Sequence, residues 1–431
     1  METGGMTWRH MTDTDIRSAI HDMGRKARAA SRELVKLTTA EKNAILLAMA
    51  DEIDARESVI LKANAKDLSS AEEKGLSKAM IDRLTLDPKR LKAVADAVRE
   101  VAALPDPVGE VLTDWSRPNG LHITKKRVPI GVIGIIFESR PNVTTDAASL
   151  CFKTGNATLL RGGSEAIHSN LALAAALQAG GERAGLPVDS VQLIPFTDRS
   201  SVEHMAQMDQ FMDLIIPRGG KGLIEKVVAT ARMPVIKHYD GVCHVYVAAD
   251  ADQEMAAKII LNSKTQKPGV CNALETILVH RNIAASFYPL VGARLAAAGV
   301  QIHADTEAQS LLGVDAFPAT EQDWSTEWLD LILSAKTVSG LDEAITHINH
   351  YGSHHTDSII TADRAAAERF QHEVDSAVVM HNASTRFNDG GEFGFGAEIG
   401  ISTDKLHARG PMGLAELCSY KYLVDGSGQT R

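Results

Sequence analysis

The chain has 431 residues, of which 44% are hydrophobic and 23% charged, and its formal net charge is −10. That length exceeds one ordinary core, so two domains are expected, with the composition of a soluble globular protein. The acidic balance excludes a general nucleic-acid binder, which needs a dominant basic face; a pocket for an anionic small molecule needs only local Lys and Arg. In chain order, the opening METGGMTWRHMTDTDIRSAI has acids and histidines where a secretory leader needs an apolar run. Residues 14–104 then read as nearly continuous helix. Ile16, Ala19, Ile20, Met23, Ala27, Ala30 and Leu34 recur at helical spacing, and Thr38 with Glu41 has the spacing of a capping box. PDPVGEV (105–111) breaks the helical run.

From about residue 122 short β-rich runs alternate with helical ones. VIGIIF (132–137), ATLL (157–160), VQLI (191–194) and DLIIP (213–217) are the runs, separated by segments such as EAIHSNLALAAALQAGGERAG and KGLIEKVVATA. A second series starts near 242 with HVYVAAD, ETILVH, VQIHA, DLILSAKTV, DSIIT and AVVMHN, and KHYDGV (237–242) is the best boundary between the two. The alternation predicts twisted, mainly parallel sheets with helices on both faces, whose ligands sit at the carboxyl ends of strands. VPIGVIGIIF (128–137) is about half the ~20 residues of a membrane span, so no membrane association is expected. The tail FNDGGEFGFGAEIGISTDKLHARGPMG is dense in glycine, which points to backbone packed closely against something.

Two strand ends carry the same turn. After ATLL come Arg161, Gly162, Gly163 and Ser164; after DLII come Arg218, Gly219, Gly220 and Lys221. Glycines let backbone approach a ligand, Ser164 is placed to cap the next helix, and a helix N-terminus favours phosphate. An ordinary strand–turn–helix connection fits each stretch too, and neither matches a nucleotide fingerprint. Four widely spaced cysteines make neither a disulfide framework nor a zinc pattern, so a reducing cytoplasm is expected. Cys151, Cys243 and Cys418 sit in apolar surroundings and read as packing residues. Cys271, in NSKTQKPGVCNALETILV, follows a Pro-Gly turn and has Lys264 and Lys267 nearby, a setting that favours thiolate and nucleophilic use. His347, His350, His354 and His355 fall within nine residues, but Tyr351-Gly352-Ser353 interrupts their helix and no Cys or HExxH spacing accompanies them. Contacts to substrate or to the loop itself are favoured over a metal, and none is assigned.

VPIGVIGIIFESRPNVTTDAASLCFKTGNATLLRGGSEA and TQKPGVCNALETILVH resemble the γ-glutamyl phosphate reductases, also called glutamate-5-semialdehyde dehydrogenases, of the aldehyde dehydrogenase superfamily. VSGLDEAITHINHYGSHHTDSI (338–359) is similar to that family's signature and TRFNDGGEFGFGAEIGISTDKLHARGPMGL to its C-terminal block. The resemblance implies an aldehyde-dehydrogenase-like α/β fold of two doubly wound domains plus a small oligomerisation element. It places an NADP-binding domain at 1–240, a catalytic domain at 241–410, and the oligomerisation element at 116–128 and 411–431. It implies NADPH-dependent reduction of L-glutamate 5-phosphate to the 5-semialdehyde in proline biosynthesis, a homo-oligomer, and association with glutamate 5-kinase. Cys271 takes the catalytic thiol position and Asn142 lies near the oxyanion asparagine of relatives. Arg161 stands where relatives bind the adenosine ribose and suits a 2′-phosphate; Glu327 is a candidate for the nicotinamide ribose. Arg140, Lys264, His355 and Arg386 are the candidates for the substrate's carboxylate and phosphate. Where hydrolytic relatives carry a glutamate base in ELGGK, this chain has KHYDGVCHV, which suits a thioester that must be reduced before water reaches it. The rivals are a hydrolytic aldehyde dehydrogenase, a metal hydrolase built on the histidines, and a non-catalytic nucleotide-binding scaffold.

Overall fold

The computed structural model describes residues 12–431; residues 1–11, on which the leader argument partly rests, lie outside them. The chain divides into two compact units. One comprises Met1–Lys237, Phe395–Gly400 and Met412–Arg431, the other His238–Gly394 and Ile401–Pro411. The division after Lys237 falls within the boundary segment expected from sequence. Residues 395–400 fall inside the 241–410 segment expected for the catalytic domain. They return to the first unit, where Ile399 N–H donates to Met412 O and Met412 N–H donates to Gly400 O.

The first unit begins with five helices, Asp13–Leu34, Thr39–Ala55, Glu57–Glu73, Lys78–Leu84 and Pro88–Ala103. Capping boxes at Thr12/Asp15 and Thr38/Glu41 start the first two, satisfying amides that the helix itself leaves unpaired. Strands β1 (Val111–Ser116) and β2 (His122–Pro129) form an antiparallel pair extended by Cys418–Asp425. This sheet spans the segments expected for oligomerisation, shifted at its edges, and exposes Trp115, Tyr420, Tyr422 and Val424. Next come β3 (Val132–Phe137), β4 (Ala157–Arg161), β5 (Val191–Leu193) and β6 (Leu214–Arg218), an all-parallel sheet in the order β5-β4-β3-β6. Every residue of β3 is buried, as a parallel strand covered on both faces requires.

The second unit is a seven-stranded sheet. Its strands are β7 (Cys243–Val247), β8 (Leu274–His280), β9 (Gln301–Ala304), β10 (Phe317–Pro318), β11 (Ile332–Val338), β12 (Thr356–Ile360) and β13 (Val378–His381). All pairs are parallel, in the order β10-β9-β11-β8-β7-β12-β13. Val245, Val247, Ile277 and Val279 pack against Phe287, Tyr288 and Val291 of helix Arg281–Ala297 on one face. Tyr246, Leu278 and Ile359 pack with Ile348 and Phe370 on the other. Two units of parallel sheet covered by helices, with a small antiparallel sheet beside the first, make an α/β architecture, and among the described residues no helix is long and apolar enough to cross a membrane.

The histidine tract is divided as its sequence implied. Helix Leu341–Tyr351 ends at Gly352, and His347 and His355 are buried whereas His350 is exposed. Burial, helped by the neighbouring His244 and Lys336, pushes the His347 imidazole down to about 2. An unfolded chain takes up that proton below about pH 6.5 and the folded one does not, so stability is full above 6.5 and lost as pH falls. Between pH 7.5 and 5.5 this residue should cost roughly 1.4 kcal/mol of unfolding free energy. Urea titrations should show that loss reduced by about the same amount in His347→Gln; an unchanged pH dependence would reject the assignment.

Candidate active site

Cys271 lies between helix Gln253–Thr265 and β8. The intervening Lys-Pro-Gly can extend neither element, because Pro268 lacks an N–H donor, and the chain makes consecutive turns through Cys271 and Asn272. Cys271 is half-buried, whereas Cys151, Cys243 and Cys418 are buried. Burial pushes the Cys151 and Cys418 thiols up to about 12 and Cys243 well above its ordinary value. The packing role foreseen for these three is what the structure gives them.

The Cys271 turn is held from behind by the first residues of the second unit. A Cβ on Gly241 would land on the carbonyl of Cys271, so only glycine permits this approach. Gly241 N–H donates to Glu327 Oε1 at 2.9 Å, and the Cys243 thiol donates to the Cys271 carbonyl at 3.2 Å. His238 is placed by the same segment. Its Nδ1 is 2.9 Å from the Ile401 carbonyl, which can only accept, so Nδ1 carries the hydrogen and the neutral ring keeps its lone pair on Nε2. One ring nitrogen each from His238 and His355, with Sγ of Cys271, lie within 4.8 Å of one another. His355 is fully buried, and burial holds its imidazole well below the usual range, hence neutral.

Lys264, expected beside the thiol and at the substrate, is elsewhere engaged. It is fully buried and donates to Glu275 Oε2 at 2.7 Å. Burial lowers its pKa and raises that of Glu275 to about 7, each desolvated charge being tolerable only because of the other. Arg386 is half-buried and reaches Gln266 Oε1 at 2.7 Å and, more closely, the amide oxygen of Asn272 next to the nucleophile. Through Asn272 it sets a cation beside the residue that follows Cys271.

In the first unit the two Arg-Gly-Gly turns prove different. Arg161 at the end of β4 is buried and commits four of its five N–H donors to protein: Ser201 Oγ and the carbonyls of Gly162, Thr197 and Asp198. These bonds tie it to the 197–201 turn, where the expectation was a fork around a 2′-phosphate. The space beside Gly162 and Gly163 is taken by Asn170 and Glu165. Ser164 caps nothing, since Gly163 holds the N-cap position and no side chain bonds there. The following helix, Ile167–Arg183, has its anion already: Asp67, buried, accepts from His168 N–H at 3.2 Å and from Ser169 N–H at 2.8 Å. The second turn is solvent-exposed: Gly219, Gly220 and Lys221 lie at the start of helix Lys221–Thr230 with no side-chain cap, and the exposed Glu138 carboxylate sits against Gly219 and accepts from Gly220 N–H at 2.9 Å. Arg218 lies against Gly400. Asn142 donates to Asp146 Oδ2 at 2.8 Å, and burial raises the Asp146 carboxyl to about 6; Arg140, two residues earlier, is exposed.

His238 and Asp67 were not singled out in the sequence. His238 sits in the boundary segment with no motif around it, and Asp67 acts across a separation of about a hundred residues. Removing one buried charge tests the Lys264–Glu275 pair. Lys264→Met should lower unfolding free energy by roughly 3–5 kcal/mol, and adding Glu275→Leu should recover most of it. A single variant as stable as the parent in denaturant titrations would show that the pair is not holding the helix to β8.

The Aldehyde dehydrogenase family model matches residues 4–313. Gamma-glutamyl phosphate reductase of Geotalea daltonii is 55% identical over 417 residues, covering 96% of this chain and 99% of that one. The Paramagnetospirillum magneticum protein of the same name is 51% identical, covering 98% and 99%. The crystal structure of gamma-glutamyl phosphate reductase from Thermotoga maritima superposes with a TM-score of 0.94 at 46% identity, covering 96% of this chain and 99% of that one. With a half-buried cysteine on a turn, parallel sheets in both units and likeness over nearly its full length, this chain is an oxidoreductase that belongs to the gamma-glutamyl phosphate reductases of the aldehyde dehydrogenase family.

Proposed function

We propose that the chain reduces L-glutamate 5-phosphate to L-glutamate 5-semialdehyde and phosphate with NADPH, through a thioester on Cys271, in the synthesis of proline from glutamate. The observation that carries this reading is the half-buried thiol on a turn braced by Gly241, with imidazole nitrogens within 4.8 Å. The relatives named for this substrate supply its identity.

In the proposed sequence Nε2 of His238 takes the thiol proton, and the thiolate attacks the acyl carbon. Phosphate leaves with the C–O bonding pair, so little acid assistance is required. NADPH, when bound, supplies the hydride that takes the thioester to the aldehyde level. The oxyanion formed in each half is met by the main-chain N–H of Cys271 and, on the family resemblance, by the amide of Asn142. Arg386 and Arg140 are the proposed cations for the substrate's charged groups. For the dinucleotide, the exposed Gly219-Gly220-Lys221 turn replaces the Arg161 turn as the phosphate-binding element, with Glu327 proposed at the nicotinamide ribose. Neither carboxylate near the turn is arranged as a base for water: Glu275 pairs with Lys264, and Glu327 accepts from Gly241. The four free cysteines suit a reducing compartment, the cytoplasm, and the exposed aromatic sheet suits pairing with a second copy. Association with glutamate 5-kinase is proposed on the resemblance alone.

With the semialdehyde as substrate, NADP+ reduction should require phosphate and should vanish in Cys271→Ser while NADPH binding stays nearly intact. Oxidation proceeding equally without phosphate would favour the hydrolytic rival. Arg161→Ala should weaken NADPH and NADH alike in fluorescence titrations, because it acts through the 197–201 turn; a loss confined to NADPH would restore it to the 2′-phosphate.

A further inference from the structure

The group formed by His238, Cys271 and His355 has a use beyond catalysis. We propose that these three side chains form a binding site for a thiophilic divalent cation, zinc being the best match, and that the bound cation holds the enzyme inactive by occupying its nucleophile. The donor set is one sulfur and two imidazole nitrogens, the borderline-soft combination that selects zinc over magnesium or calcium. Tetrahedral zinc wants such atoms about 3.5 Å apart. The upper separation here is 4.8 Å, so closure requires movements on the order of an ångström.

Two independent features support a ligand at this place. His355 is fully buried, yet its Nε2 has no hydrogen-bond partner among the described residues. An unpaired nitrogen in that position costs free energy unless something meets it. His238 already has the outer contact that metal-binding histidines use, its Nδ1 hydrogen held by the Ile401 carbonyl at 2.9 Å. Cys243 stands outside the donor set, its thiol given to the Cys271 carbonyl. Three protein donors leave a fourth position for water or a substrate oxygen. Of the four clustered histidines only His355 takes part, so the site departs from the metal-free expectation by recruiting a different histidine and the thiol.

Binding rests on geometry alone, while inactivation rests on the proposed role of Cys271, and the test separates them. Cobalt(II) added to the metal-free full-length protein, without substrate, should give one equivalent bound with a thiolate-to-cobalt charge-transfer band and the intense visible bands of tetrahedral coordination. The charge-transfer band should be absent in Cys271→Ser. Affinity should fall at least tenfold in His238→Gln, a half-exposed position where folding is less at risk than in His355→Gln. Zinc should displace cobalt and abolish turnover reversibly on addition of a chelator. Absence of the charge-transfer band, or its survival in Cys271→Ser, would overturn the site. A zinc-saturated protein that turns over at the normal rate would overturn the inactivation. Loss of turnover in the metal-free parent would count against the functional reading and leave the cobalt result standing.

Discussion

The close approach of Gly241 to the Cys271 carbonyl is the constraint around which the second unit's chemistry is arranged. Because no side chain fits between them, residues 241–243 act as a backing plate for the Cys271 turn. The same short segment then delivers an amide to Glu327 and a thiol to the Cys271 carbonyl, and runs into β7, which lies between β8 and β12 in the sheet. In the Lys-Pro-Gly turn Pro268 brings no N–H donor, so the turn leans on its neighbours. Its position is therefore set by what lies behind it, and the sulfur inherits that position.

Much of the fold was legible because parallel strands buried on both faces announce themselves as short apolar runs. VIGIIF maps onto β3 residue for residue, and ATLL, DLIIP and ETILVH differ from β4, β6 and β8 by a residue or so at their ends. Cys271 was legible for a local reason, since a Pro-Gly turn and a polar approach distinguish it from three cysteines in apolar runs. The three-stranded antiparallel sheet was traced only through family likeness: HITKKRVP and CSYKYLVD mix charge with aromatic residues and lack a clean alternation.

What could not be read were partnerships across long stretches of chain. Asp67 closes the N-terminus of Ile167–Arg183, and Thr197 and Asp198 absorb Arg161. Both turn an apparent ligand site into a structural joint. The sequence showed two similar Arg-Gly-Gly turns; only the fold reveals that one is buried among protein groups and the other solvent-exposed with Glu138 against it. Lys264 fails for a related reason. Being near Cys271 in sequence placed it at the thiol, but one turn of helix directs it into the interior, where Glu275 is its counter-ion. In each case a charged residue anticipated for a ligand was satisfied from within, as burial of a charge demands.

The distribution of sulfur has a practical corollary. Three thiols are sealed and energetically held as S–H, so an alkylating reagent applied to the native protein should report on one position alone. The number of equivalents incorporated per chain then counts competent centres in a preparation directly. The rate of incorporation measures how much of that sulfur is ionised at any chosen acidity. A chain with four cysteines thereby carries a single built-in stoichiometric label, on the turn before β8.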